Sequence, residues 1–157
     1  MKNLILIRHA KSSWDFPMDD KERPLTNNGK LAAKKMAQLS QSFLPKDYQI
    51  YCSSARRTSE TAIIFSEVTS FPKEAIHFLD ELYTFDCSQL VKTIQGLTNQ
   101  VDTVIIFGHN AAITEFVNKF GDQYIENVPT SGFVSMQFES KSWNSISKGK
   151  ILKIIVK

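Results

Sequence analysis

Short apolar runs, rich in β-branched side chains, alternate with stretches of helical periodicity along most of this chain. The runs at 4–7, 50–52, 101–107, 133–138 and 151–156 are too short for core helices and have strand character. Between them apolar positions recur every three or four residues. Ala32, Met36, Leu39 and Phe43 step along one predicted helix, with Thr26 as its cap and Pro45 as its stop. Thr61, Ile64, Phe65 and Val68 mark a second, from near Ala55 to before Pro72. Leu90, Ile94 and Leu97 mark a third, capped by Asp86 or Ser88; Ala112, Ile113, Phe116, Val117 and Phe120 mark a fourth, closed by Gly121.

This alternation predicts an α/β fold: a three-layer sandwich with a mostly parallel central sheet and helices on both faces. After Gly121 the pattern changes. Two strands follow with only "ESKSWNSISKGK" between them, which predicts an antiparallel strand near the C-terminal edge. No repeat and no Pro/Gly-rich linker divides the 157 residues, so one domain over 1–157, without a cap domain, is expected.

With 42% hydrophobic and 22% charged residues the chain is neither disordered nor fibrous. Its formal charge of +3 comes without a dense Lys/Arg block, which fits small anionic substrates better than nucleic acid. The apolar stretch 4–7 ends at Arg8, too short for a signal peptide or a membrane span, so a cytoplasmic protein without membrane contact is expected.

Ligands of open α/β sheets collect where strands end and the chain turns toward a helix. Three segments put polar residues there: "LIRHAKSS", "YCSSARRTSET" and "IIFGHNAAIT". His9 and His109 both stand at predicted strand ends, whereas His77 lies between Ile76 and Phe78 without polar company. Zinc is disfavoured, because no H-x-H or H-x-x-x-H spacing occurs and Arg8 beside His9 repels a cation. A phosphate-binding P-loop needs glycine five residues before its Gly-Lys pair, where "PLTNNGK" has Pro24. A cysteine phosphatase loop needs arginine six residues after Cys52, where Thr58 stands; Cys52 and Cys87 are expected to be free thiols.

Phosphoryl chemistry on histidine fits better. A neutral imidazole can attack phosphorus and form a covalent intermediate, and arginines can hold the phosphoryl oxygens and stabilise transition-state charge. The same cations disfavour protonation of the imidazole, which gives the adjacency of Arg8 and His9 a chemical reason. No metal and no cofactor is required.

"RHAKSSWD" resembles the Arg-His-Gly-Glu-Ser-x-Trp-Asn signature of the histidine phosphatase superfamily, the phosphoglycerate mutase-like enzymes. Arg8, His9, Ser12 and Trp14 match it, while Ala10, Lys11 and Asp15 depart. Ser53, Arg57 and Thr61 match the family's Ser-x-x-x-Arg-x-x-x-Thr block, and Gly108 and His109 its Gly-His block. Asp20, Arg23, Pro24, Leu25 and Gly29 resemble the Asp-x-x-Arg-Pro-Leu-x-x-x-Gly stretch of the SixA-like branch, whose members dephosphorylate phosphohistidine; "VPTSG" is similar to that branch as well.

The resemblance implies His9 as the phosphorylated nucleophile, Arg8 and Arg57 as phosphate ligands, and His109 as a further donor. Glu81 in "LDELYTFD" is the first candidate for a general acid and Asp20 the second. Asp15 is expected to turn away from the pocket or pair with a lysine. Arg23 and Pro24 are expected to fix their loop, with extension of the positive rim as the alternative for Arg23, and Trp14 and Trp143 to pack or to line a rim. The expected partner is a phosphohistidine-bearing protein, with small phosphorylated substrates as the alternative, or a phosphate-binding module of weak activity.

Overall fold

Side chains along β1 (Lys2–Arg8) alternate between two apolar layers. Leu4 and Leu6 face one helical layer, and Ile5 and Ile7 face the other. All four are at most 1% exposed, and each contributes about 1.5–3 kcal/mol by leaving water. A strand buried on both faces belongs inside a sheet covered on both sides.

The computed structural model describes residues 1–15 and 17–156. β1 is followed by α1 (Asn27–Ser40), β2 (Gln49–Ser53), α2 (Arg56–Thr69), β3 (His77–Leu79), α3 (Cys87–Gln95), β4 (Thr103–Gly108), α4 (Ala112–Phe120), β5 (Phe133–Phe138) and β6 (Lys150–Ile155). They form a six-stranded sheet in the order β3-β2-β4-β1-β5-β6. β3, β2, β4 and β1 run parallel, while β5 is antiparallel to both β1 and β6. The mostly parallel α/β sandwich with an antiparallel C-terminal edge is therefore as expected.

α1 and α2 cover the layer containing Ile5, Ile7, Ile50, Cys52, Ile105 and Phe107. α3 and α4 cover the opposite layer, with Leu4, Leu6, Val104, Ile106, Val134 and Met136. Thr26 caps α1 by accepting from Gly29 N at 2.9 Å, and Asp86 caps α3 by accepting from Ser88 N at 3.2 Å. Every apolar position assigned to α4 is buried.

Two elements differ from expectation. β3 is a three-residue edge strand, too short to show a strand periodicity in the sequence, and its His77 and Phe78 are exposed. Ala32 and Leu39 of α1 are exposed and Phe43 lies in the turn just beyond it; Ala33, Met36, Ala37 and Ser40 face the core instead. The small side chains let α1 sit close against its neighbours, while Phe43 stays at the surface beneath Lys153 Nζ, 4.4 Å from the ring centroid.

Candidate active site

The parallel register of β1 and β4 pairs Arg8 with Gly108, so the next residue on each strand is a histidine at the same edge. His9 N donates to Gly108 O at 3.1 Å, and the two imidazole centroids lie 5.3 Å apart. Their side chains enter a cleft of about 380 Å³ lined also by Arg8, Arg57, Asp20 and Arg23. The three predicted strand-end segments thus converge because β2, β4 and β1 are sheet neighbours.

The tautomer of His9 follows from its contacts. Nδ1 lies 2.7 Å from the Ala10 carbonyl oxygen, which can only accept, so Nδ1 carries the proton and Nε2 carries the lone pair. Arg57 Nε lies 3.4 Å from that Nε2. Burial, aided by the charges of Arg57, Arg8 and Arg23, pushes the His9 pKa down to about 4 although the Ala10 hydrogen bond opposes it. At neutral pH His9 is an uncharged imidazole whose Nε2 electron pair accepts a long hydrogen bond from the Arg57 guanidinium.

His109 Nε2 lies 2.7 Å from Ser53 Oγ, and its buried Nδ1 has no partner. Burial, with contributions from His9 and Arg57, pushes its pKa down to about 3. When the Ser53 hydroxyl donates to Nε2, Nδ1 is an N–H donor available to an anion. Arg8 Nε is likewise buried without a partner, while its other end donates to Val128 O at 3.0 Å. Unpaired buried donors of this kind fit an anionic ligand better than an apolar one.

The spacing of Ser53, Arg57 and Thr61 has a physical account. Arg57 and Thr61 are one helical turn apart on the buried side of α2. Arg57 reaches His9, while Thr61 Oγ1 accepts from Ala10 N at 2.9 Å and so holds the residue after the nucleophile candidate. Ser53 ends β2 and orients His109. Arg56 points outward to Glu60 at 3.1 Å, which separates it from Arg57.

Asp20 sits across the cleft from His9. Its carboxylate accepts from Arg57 at 2.9 Å, Arg23 at 3.2 Å and Tyr83 Oη at 2.6 Å. Partial burial alone raises the carboxyl pKa, but the hydrogen bonds from Tyr83, Arg57 and Arg23 outweigh it and hold it at about 2. Asp20 is therefore ionised at neutral pH.

Glu81 is not brought to this site. Leu82 is buried and anchors the short turn Asp80–Leu82, leaving Glu81 exposed on a separate depression with Tyr51, Gln89 and Lys92. Tyr83, two residues later, is the side chain that faces Asp20. Arg23 meets both expectations for it: it fastens its loop by donating to Ser12 Oγ at 2.6 Å, and, 6% exposed, it lines the cleft as part of its positive rim. Asp15 is exposed and outside the cleft lining, with its backbone N–H donating to Ser13 Oγ at 3.1 Å.

Lys11, Asn110, Thr130 and Phe85 complete parts of the wall, and sequence reading singled out none of them. For Asn110 a signal existed, its position directly after Gly-His; for Phe85 none did. Gly29 also has a structural reason, since a Cβ there would collide with the Lys11 carbonyl oxygen where α1 abuts the loop after His9. Trp143 is fully buried, with Nε1 donating to Val101 O at 2.9 Å, whereas Trp14 lines the rim.

Cys52 is buried within β2, and burial pushes its thiol pKa up, which removes it as a nucleophile. Among the described residues, no cluster of three His, Cys, Asp or Glu side chains is arranged to hold a metal ion. No helix among them is long and apolar enough to cross a membrane.

The family model of the histidine phosphatase superfamily, branch 1, matches residues 4–97. An uncharacterised chloroplastic protein of Arabidopsis thaliana is 30% identical over 151 residues, covering 90% of this chain and 69% of the relative. The solved structure of the protein histidine phosphatase SixA complexed with tungstate aligns with a TM-score of 0.82 at 21% identity, covering 98% of this chain and 96% of the other. A mycobacterial glucosyl-3-phosphoglycerate phosphatase aligns with a TM-score of 0.72 at 10% identity, covering 97% of each chain. Its family model spans more than half of the sequence: this protein belongs to the histidine phosphatase superfamily and is a phosphatase with a SixA-like fold.

Proposed function

We propose that this enzyme is a phosphohistidine phosphatase that works through a phosphorylated His9. The His9 Nε2 lone pair attacks phosphorus; the Nε2–P bond forms as the bond to the leaving nitrogen breaks, and that nitrogen keeps the electron pair. Water then attacks phosphorus, the Nε2–P bond breaks, and inorganic phosphate leaves with the imidazole restored. Throughout, His9 Nδ1–H stays on the Ala10 carbonyl, which stabilises the positive charge that builds on the ring when Nε2 is bonded to phosphorus.

In this reading Arg57, Arg8 and the Nδ1–H of His109 receive the phosphoryl oxygens; their position in the cleft and the unpartnered Arg8 Nε and His109 Nδ1 support it. Charge-assisted bonds from preorganised donors are worth most where negative charge is shared among equatorial oxygens. Tungstate in the SixA structure is an oxyanion of similar shape, which supports an oxyanion site in this fold.

The observation that carries the substrate assignment is the absence of a usable carboxylic acid among the described residues of the cleft. The one carboxylate lining it, Asp20, is held at about 2 by Tyr83, Arg57 and Arg23, and Glu81 faces elsewhere. An alkoxide leaving group needs a proton as it departs. An imidazole that already carries a proton on its other nitrogen departs neutral, so a phosphorus–nitrogen substrate suits this site better than an alkyl ester.

The test is phosphate release from a phosphohistidine-bearing protein and from an alkyl phosphomonoester, side by side, with His9→Ala as control. Preferred release from the phosphoprotein and its loss in His9→Ala support the proposal. Equal or faster turnover of the ester assigns a small-molecule phosphatase, and binding without turnover assigns a phosphate-binding module.

A further inference from the structure

The cleft has more room than a phosphoryl group fills, and its mouth is aromatic. At about 380 Å³ it lies in the roughly 300–1,000 Å³ range of small-molecule pockets. Arg8, His9, Arg57 and His109 supply its polar part, whereas Trp14 and Phe85 bring large apolar surfaces to the same cavity.

Both rings are fixed yet open. Phe85 is 52% exposed and packs nearly perpendicular to His109 and Tyr83, with centroids 5.4 and 5.8 Å away. Trp14 is 76% exposed, and the guanidinium of Arg23 stacks 3.5 Å from its centroid. Arg23 is itself anchored by Ser12 and Asp20, so the indole rests on a held support. A cation beneath one face of an indole leaves the other face free to stack.

We propose that Trp14 and Phe85 form a leaving-group subsite that receives a flat ring, the part of the substrate that carries the phosphoryl group. This rests on the phosphoryl group lying beside His9, as argued above. Phosphate and ring then occupy different walls of one cavity: charged donors bind the first, and aromatic surfaces select the second. Planar rings such as imidazole or phenyl fit the subsite better than a methyl group, which has no face to offer.

Phenylphosphonate and methylphosphonate test this directly, since each carries a phosphonate that the enzyme cannot hydrolyse and only one carries a ring. Titration calorimetry of the wild-type protein is expected to show phenylphosphonate binding about ten-fold more tightly. Trp14→Ala and Phe85→Ala should each cut that preference to about three-fold or less, with methylphosphonate affinity changed less than about two-fold. Trp14→Leu and Phe85→Leu, which keep apolar bulk without a ring, should behave as the alanine variants do.

Equal wild-type affinity for the two compounds, equal weakening of both in the variants, or binding of neither overturns the subsite. The phosphohistidine assignment fails separately, through absent release from the phosphoprotein. A retained phenyl preference in that case leaves the ring subsite standing.

Discussion

Arg57 directs its Nε at Nε2 of His9 across 3.4 Å, and the far side of the same guanidinium is tied to Asp20 by a backbone and a carboxylate contact of 2.7 and 2.9 Å. The cation that donates to this electron pair is thus fixed before any substrate arrives. Preorganised charge of this kind acts mainly on the transition state.

Arg57→Ala is therefore expected to lower kcat by about 10²–10³-fold, the range for losing one preorganised donor. Arg57→Lys retains the charge without the planar fork and should recover only part of it. Steady-state rates on one substrate decide the matter. A kcat within about three-fold of wild type in Arg57→Ala would show that this guanidinium has no transition-state role.

Asp20 competes with a phosphoryl dianion for the same guanidinium. Asp20→Asn removes the charge while keeping a hydrogen-bonding group, so inorganic phosphate should bind several-fold more tightly and product inhibition should grow. Solvent screening keeps the effect modest, because the Asp20 side chain is 40% exposed. Inhibition constants for phosphate measure it, and unchanged or weaker inhibition counts against the competition.

The pKa values near 4 for His9 and near 3 for His109 set the acid behaviour. Single-turnover phosphorylation of His9 should keep its rate down to about pH 4, rather than falling near the ordinary histidine value of about 6.5. Folding stability changes in a different window. Between about pH 6.5 and pH 4 the unfolded chain binds protons that the folded chain refuses, so stability declines as the pH falls through this range. Urea midpoints at pH 7.5 and 4.5 should show a smaller decline in His9→Asn than in wild type; an equal decline would remove His9 as a contributor.

Much of this site was legible because its residues leave strands at one edge. His9 and His109 carry that signal in the sequence, and the resemblance of the "SSARRTSET" segment separates Arg57 from Arg56. The helix face of α1 was less legible: Ala33 and Ala37 are buried by close approach of neighbouring elements, a long-range fact that hydrophobic periodicity favouring Leu39 and Phe43 does not contain. β3 was missed for a related reason, because its pairing to β2 stabilises three residues that remain largely exposed. Arg23 became a wall of the cleft through Ser12, Asp20 and Trp14, partners brought to it by the loop's tertiary path.

Glu81 supplies the last prediction. Its neighbour Leu82 is 1% exposed and fixes the turn, so swinging Glu81 into the cleft would require pulling Leu82 from the core. Removing such a side chain from its apolar site costs about 1.5–3 kcal/mol, which holds any conformer with Glu81 in the cleft to a few per cent of the resting enzyme. Glu81→Gln should therefore leave kcat within about two-fold on both phosphohistidine and alkyl ester substrates. A proton donor would behave differently: its loss would slow the ester, with its poorer leaving group, far more than the phosphorus–nitrogen substrate. Measuring the two rates in the same variant separates these outcomes, and a ten-fold or larger loss confined to the ester would bring Glu81 back into the chemistry.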